Sequence, residues 1–257
     1  MYQVDAFTAH AFSGNPAAIC PLESWLSDAQ MQAIAAENNL AETAFFVRNG
    51  AGYKLRWFTP AVEVELCGHA TLASAFVIMN DLTPGERSVS FDTKSGVLTV
   101  AREGDLYSLD FPSRPPGPCD PCPELLPALG GKPEAVLAAR DYLVVYGSED
   151  ELRSLRPNMS ALMTIDRFAV IATAPGRQAD FVSRFFAPAK GVPEDSVTGS
   201  AHCTLIPYWS KRLGKQKLHA FQVSPRGGEL WCQDRGARVT ISGKAVRFFE
   251  GAIFLEA

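Results

Sequence analysis

Arg56-Trp57-Phe58-Thr59-Pro60-Ala61 returns later in the chain as Arg184-Phe185-Phe186-Ala187-Pro188-Ala189. Chance could supply one such hexapeptide, but here its surroundings recur with it. Each copy ends a hairpin-like pair of segments: Thr43 to Val47 with Tyr53 to Phe58, then Phe168 to Thr173 with Asp180 to Phe185. Each precedes an acidic stretch, Glu63 and Glu65 in the first copy, Glu194 and Asp195 in the second. Each then reaches a small-residue start to an apolar helix, Gly68-His69-Ala70 and Gly199-Ser200-Ala201. Arg184 follows Arg56 by 128 residues and Gly199 follows Gly68 by 131, so the register holds apart from three inserted residues. Ordered recurrence over this span reads as internal duplication.

Between the copies lies Phe111-Pro112-Ser113-Arg114-Pro115-Pro116-Gly117-Pro118, continuing to Pro121 and Pro123. Prolines lack the backbone donor and fix φ, so this stretch is unsuited to a sheet or a helix interior. It predicts an extended connector over 112–123, between an N-terminal half, 1–111, and a C-terminal half, 124–244. Strands are expected near 1–7, 16–20, 43–48, 52–58, 87–92, 96–102 and 105–111, the last two flanking a Glu103-Gly104-Asp105 turn. Ser27-Asp28-Ala29-Gln30 is a capping box for a helix reaching about Asn38. A second helix, starting near Gly68, is apolar almost all round, as a helix enclosed by sheet would be. The tail is strand-rich: Leu218 to Val223, Glu229 to Gln233, Arg238 to Ile241 and Ala245 to Leu255. Its last strand, near 245–257, is a candidate to rejoin the first half.

The 257 residues are 47% hydrophobic and 20% charged, ordinary for a well-packed protein. A formal charge of -4 argues against a nucleic-acid partner. No apolar run approaches the length of a membrane span, and Met1-Tyr2-Gln3-Val4-Asp5 lacks the basic-then-apolar pattern of an export signal, so a cytoplasmic location is expected. Six scattered cysteines are then expected to be reduced. Cys119-Asp120-Pro121-Cys122 is half of a zinc site, but no second pair completes it, so no metal is expected.

The first turn of a helix carries unpaired N–H groups and a partial positive charge, and glycine there lets a ligand approach the backbone. Two such starts related by duplication can face each other across an interdomain cleft and hold a small carboxylate or an enolate. His69 lies one residue inside the first start, and Asp195 just before the second. Glu42 stands between the alanine-rich helix and an apolar strand. An acid at a strand mouth is ordinarily solvated. In a closed, partly apolar pocket, desolvation would instead bring it toward acid/base work at neutral pH.

Asp5-Ala6-Phe7, Gly14-Asn15-Pro16-Ala17-Ala18, Asn39-Leu40-Ala41-Glu42-Thr43-Ala44-Phe45 and Glu65-Leu66-Cys67-Gly68-His69-Ala70-Thr71-Leu72 closely resemble the phenazine-biosynthesis isomerase (PhzF-like) family. Glu194-Asp195-Ser196-Val197-Thr198-Gly199-Ser200-Ala201 and Gln222-Val223-Ser224-Pro225-Arg226-Gly227-Gly228 continue the resemblance in the family's order. It implies an α+β, diaminopimelate epimerase-like fold of two pseudo-symmetric halves, each a curved, mostly antiparallel sheet wrapped around a central helix. It also implies a homodimer and a cofactor-independent isomerase moving a proton within a small anionic substrate. Carried over, Glu42 is the acid/base, and His69 and Asp195 orient polar groups. Gly68, Ala70, Gly199, Ser200 and Ala201 bind substrate. A serine common before the family's glutamate is Ala41 here, which removes a hydroxyl from the pocket edge and leaves the substrate open.

Three other readings compete. Racemases of this fold use one cysteine at each helix start. Cys67 fills the first place but Thr198 the second, leaving a one-sided racemase or a buried packing role for Cys67. Ser200 and His202 suggest a hydrolase, but no G-x-S-x-G elbow surrounds the serine, and residues two apart on a helix diverge. A non-catalytic binder of small anions would gain nothing from Glu42 beside its ligand.

Overall fold

The computed structural model describes residues 1–255. It divides into two compact units, Met1–Asp110 with the segment from Ser242 onward, and Phe111–Ile241. The first opens with β1 (Tyr2–Ala6), β2 (Asn15–Leu22), α1 (Asp28–Asn38), β3 (Glu42–Asn49), β4 (Gly52–Phe58) and the two-residue β5 (Glu63–Val64). Helix α2 (Gly68–Val77) follows, then β6 (Ser88–Thr93), β7 (Gly96–Glu103) and β8 (Leu106–Pro112).

Local chemistry accounts for both helices. Ser27 accepts a bond from the Gln30 N–H while the Gln30 side chain returns one to the Ser27 N–H, so the expected capping box starts α1. Asn39 ends it in the left-handed region at φ 49°, where its N–H reaches Ala35 O. Helix α2 is buried from His69 to Ala75 and packs against β1, β2, β3 and β7. A helix enclosed this way must hide its own polar atoms. Thr71 Oγ1 donates to Cys67 O at 2.5 Å and Ser74 Oγ to Ala70 O at 2.7 Å, so neither hydroxyl needs an outside partner. Each fully buried apolar side chain here, such as Leu72 or Val77, stabilises by about 1.5–3 kcal/mol.

In the second unit come β9 (Gly117–Pro118), α3 (Leu125–Leu129), β10 (Ala135–Ala138), β11 (Tyr142–Val145), α4 (Glu149–Ser154) and α5 (Met159–Leu162). They lead into β12 (Val170–Pro175), β13 (Phe181–Ala187), β14 (Val192–Asp195), α6 (Gly199–Leu213), β15 (Lys217–Gln222), β16 (Gly228–Asp234) and β17 (Arg238–Gly243). Its core gathers Tyr142, Val144, Tyr146, Leu152, Ala172 and Phe186.

The duplication is visible in the pairing. In the first unit β1–β2 is antiparallel, β2–β3 parallel, β3–β4 and β4–β5 antiparallel, β4–β6 parallel and β6–β7 antiparallel. The second repeats that succession and sense with β10–β11, β11–β12, β12–β13, β13–β14, β13–β15 and β15–β16. The arginine of each hexapeptide also does the same work. Arg56 Nε and Nη2 donate to Glu63 at 2.8 and 3.0 Å, and Arg184 Nε and Nη2 to Glu194 at 2.7 and 2.9 Å. Each fork pins the acidic stretch that leads into its unit's central helix.

Two expectations need correction. The last strand is Ala245–Glu250, paired antiparallel with β1, and does not run to Leu255. Met1 and Gly251 exchange backbone bonds of 2.8 and 3.0 Å, and residues 251–255 lie outside any strand. The proline-rich stretch does enter a sheet, since Pro118 and Gly117 pair with Leu137 and Ala138. A two-residue edge tolerates a proline whose missing N–H points away from the ladder. The short β5 and the helices α3 to α5 had no periodic signal long enough to read. Among the described residues, no helix is long and apolar enough to cross a membrane.

Candidate functional site

Glu42 is the first residue of β3, held beside Ala17 of β2 by the parallel register. Just before it, the left-handed Asn39 turns the chain out of α1, and Asn38 Nδ2 donates to Thr43 Oγ1 at 3.1 Å. Cys67 caps α2 in extended conformation, with its thiol beside the Ala70 N–H but in no regular capping bond. The first-turn N–H groups therefore keep their capacity for an outside anion.

His69, inside that first turn, is the hub. Its Nε2 lies 3.1 Å from Glu42 Oε2, its Nδ1 lies 3.3 Å from Asn15 Nδ2, and Cys67 Sγ lies 3.5 Å from Nδ1. The His69 side chain is 7% exposed and that of Glu42 19%, so the carboxylate is the member that reaches solvent. Oε2 itself is buried and has no aligned hydrogen bond. Burial works against charge on His69, but negative charge at Cys67 and Glu42 outweighs it and raises the imidazole well above its ordinary value. Burial also raises the Cys67 thiol, and the Glu42 charge adds to the effect. With burial holding Cys67 as a thiol, the charge that faces His69 is that of Glu42. Asn15 can serve either state of the ring by presenting its amide oxygen or its nitrogen.

At the second start, Thr198 takes the place of Cys67 as the helix cap. Its Oγ1 donates to Asp195 Oδ2 at 2.6 Å, and its N–H donates to Gln222 Oε1 at 2.8 Å. Gln222 Nε2 in turn donates to Asp195 O at 2.8 Å and to Thr198 Oγ1 at 3.2 Å. Ser200 Oγ accepts from Arg140 Nη2 at 3.2 Å, while Arg140 also grips the buried Asp141. His202 turns away from Ser200, its Nδ1 lying 2.8 Å from Thr198 O, and burial pushes its pKa down to about 4. A neutral, buried histidine bonded to its own helix is not a serine's general base.

The acid itself has no duplicate. Thr43 pairs with Phe58 as Val170 pairs with Phe186, so the counterpart of Glu42 is Ala169, fully buried.

Of the residues expected to matter, Glu42, Gly68, His69 and Ala70 meet at the start of α2. Asp195, Gly199, Ser200 and Ala201 meet at the start of α6. Sequence reasoning missed Asn15 and Gln222, although both stood inside quoted motifs, because an amide's partner depends on tertiary placement. Arg140 and Asp141 carried no signal. Glu42, Cys67 and His69 each offer a ligand atom within 4.8 Å of the others, the one compact set of potential metal donors among the described residues.

The family described as phenazine biosynthesis-like protein (PhzC-PhzF) matches residues 4–251. The chain is 54% identical, over 256 residues, to an uncharacterized isomerase of Pseudomonas aeruginosa, covering 99% of this chain and 98% of the other. It superposes on a PhzF-family phenazine biosynthesis protein of Enterococcus faecalis with a TM-score of 0.97 and 48% identity, covering 99% of this chain and 98% of that one. A probable proline racemase from Agrobacterium radiobacter, 10% identical, aligns with a TM-score of 0.62 over 99% of this chain and 92% of its own. That likeness is of fold alone, and it places the architecture among the diaminopimelate epimerase-like α+β folds.

Proposed function

The chain belongs to the phenazine biosynthesis-like (PhzC-PhzF) family, and from that premise we propose an isomerase in which Glu42 moves one proton within a small carboxylate substrate. The observation that carries this reading is the contact of 3.1 Å between Glu42 Oε2 and the buried His69 Nε2. A carboxylate that alternately takes and gives a proton needs a neighbour that tolerates both of its states. His69 fills that role, since its charge stabilises the carboxylate and Asn15 holds the ring. The free first-turn N–H groups of α2 and its Gly68-His69-Ala70 backbone suit the substrate's carboxylate or an enolate formed from it. Asp195, Gly199, Ser200 and Ala201 are proposed to bind substrate polar groups, Asp195 as an orienting group. No cofactor is needed for such a transfer, and a homodimer is the proposed assembly.

Incubation with small amino and hydroxy acids in deuterated water tests the idea. Deuterium uptake is expected in the wild type and lost in Glu42→Gln, and uptake retained in that variant would sink the assignment. A second reading, a one-sided racemase, is favoured by the Cys67 Sγ contact of 3.5 Å with His69 Nδ1. Uptake lost in Cys67→Ser yet kept in Glu42→Gln would choose it.

A further inference from the structure

We propose that Glu42, Cys67 and His69 form a binding site for a thiophilic divalent cation of the zinc type. Their ligand atoms all lie within 4.8 Å of one another, with Nε2–Oε2 at 3.1 Å and Sγ–Nε2 at 4.0 Å. Tetrahedral zinc, with Zn–N near 2.0–2.1 Å and Zn–S near 2.3 Å, sets those two separations at about 3.4 and about 3.6 Å. The first separation therefore needs to open by about 0.3 Å and the second to close by about 0.4 Å, which side-chain torsions supply. Thiolate, imidazole and carboxylate are a donor set for zinc or cobalt, whereas magnesium and calcium require oxygen throughout.

Two further features fit a ligand shell. The buried Glu42 Oε2 has no aligned hydrogen bond, so a cation bound there would exchange the ion pair with His69 for a metal bond at each atom. Asn15 stands 3.3 Å from His69 Nδ1, where its amide oxygen would hold the ring N–H while Nε2 binds the metal. Asn15 is thus a ready second-layer support. Three protein donors leave a fourth position open, as in reactive rather than closed zinc sites. The second unit cannot imitate the site, because Ala169, Thr198 and Ser200 occupy the three places.

The site stands whatever reaction the protein catalyses. If Glu42 is the proton carrier, its Oε2 cannot serve proton and metal at once, and the cation is an inhibitor.

Cobalt titration of the purified full-length protein tests the site through its spectrum. One equivalent of Co²⁺ should give a thiolate-to-cobalt charge-transfer band and tetrahedral visible bands, both displaced by Zn²⁺. Cys67→Ser should lose the charge-transfer band and weaken zinc at least about 100-fold, since even supporting groups cost up to that much. His69→Ala provides a second variant should Cys67→Ser fail to fold, and it should weaken cobalt to the same degree. The double variant Cys119→Ser/Cys122→Ser should keep the band. Absence of a band in the wild type overturns the proposal. So does a band that survives in Cys67→Ser and disappears in the double variant. Because the readout is spectral, failure of the proton-transfer reading would leave it untouched.

Discussion

The two helix starts are built to one plan and equipped differently. Both have a cap whose side chain leaves the first turn free, a glycine next, and an arginine–glutamate fork holding the strand before them. At α2 the cap is a thiol, the next polar group is a buried imidazole whose pKa is raised, and an acid faces both. At α6 the cap is a hydroxyl already committed to Asp195, and the serine is already committed to Arg140. The first start sets three titratable groups against one another, and the second holds fixed hydrogen bonds. Duplication thus preserved the scaffold while the side chains at the two starts diverged.

The largest expected break in that contrast is Glu42→Gln, which makes the first start as inert as the second. Isotope exchange should fall by about 100- to 10,000-fold, the usual worth of a positioned acid/base. His69→Ser copies Ser200 into the first copy and removes the cation facing Glu42. Exchange should fall roughly 10- to 100-fold, the value of one charged hydrogen bond. That variant should also lose a pH dependence of stability. The raised His69 value means that its contribution is complete below the unfolded pKa near 6.5 and disappears as pH climbs through the folded value. Urea midpoints of wild type and variant should therefore converge in alkali.

A third test compares the forks. Arg184 and Glu194 are 10% and 14% exposed, and Arg184 also donates to Leu152 O and Leu155 O. Arg56 is 21% exposed, and its partner Glu63 keeps a bond from Lys94. Arg184→Met should cost about 3–5 kcal/mol by chemical denaturation and Arg56→Met less than about 3, since Glu63 keeps Lys94 and only Arg184 also holds two buried carbonyls. The Arg56 bonds also hold the Glu63 carboxyl down to about 2. Its contribution, present above the unfolded value near 4.5, should fade as pH falls toward 2.

His202 predicts the opposite acid response to His69. Its value near 4 keeps it neutral in the fold, so stability should drop as pH falls from about 6.5 toward 4. His202→Gln should flatten that slope in thermal melts. The smallest effect is at Ser27, where alanine should cost about 0.5–2 kcal/mol through the lost cap of α1.

Much of the fold could be read from local pattern, and the reasons differ by element. The hexapeptide repeat revealed the duplication because its arginine, aromatics and turn each have a physical task that both copies must perform. The Ser27 box and the apolar α2 were legible because caps and enclosure are written in adjacent residues. The helices α3 to α5 were hidden, being too short to show a period. At the site, Glu42 and His69 emerged from family motifs, and only tertiary placement shows that they touch. Asn15 is a different lesson. An amide reads as turn chemistry in sequence, and its value lies in a ring nitrogen 54 positions away.

The exchange of backbone bonds between Met1 and Gly251 has a temporal meaning. The strand Ala245–Glu250, which lies along β1, leaves the ribosome only after the whole of Phe111–Ile241 has been made. During synthesis β1 must wait with one edge unpaired, while the later-made unit has all its strands to hand. The portion translated first is the portion completed last, and the helix start carrying Glu42, Cys67 and His69 belongs to it.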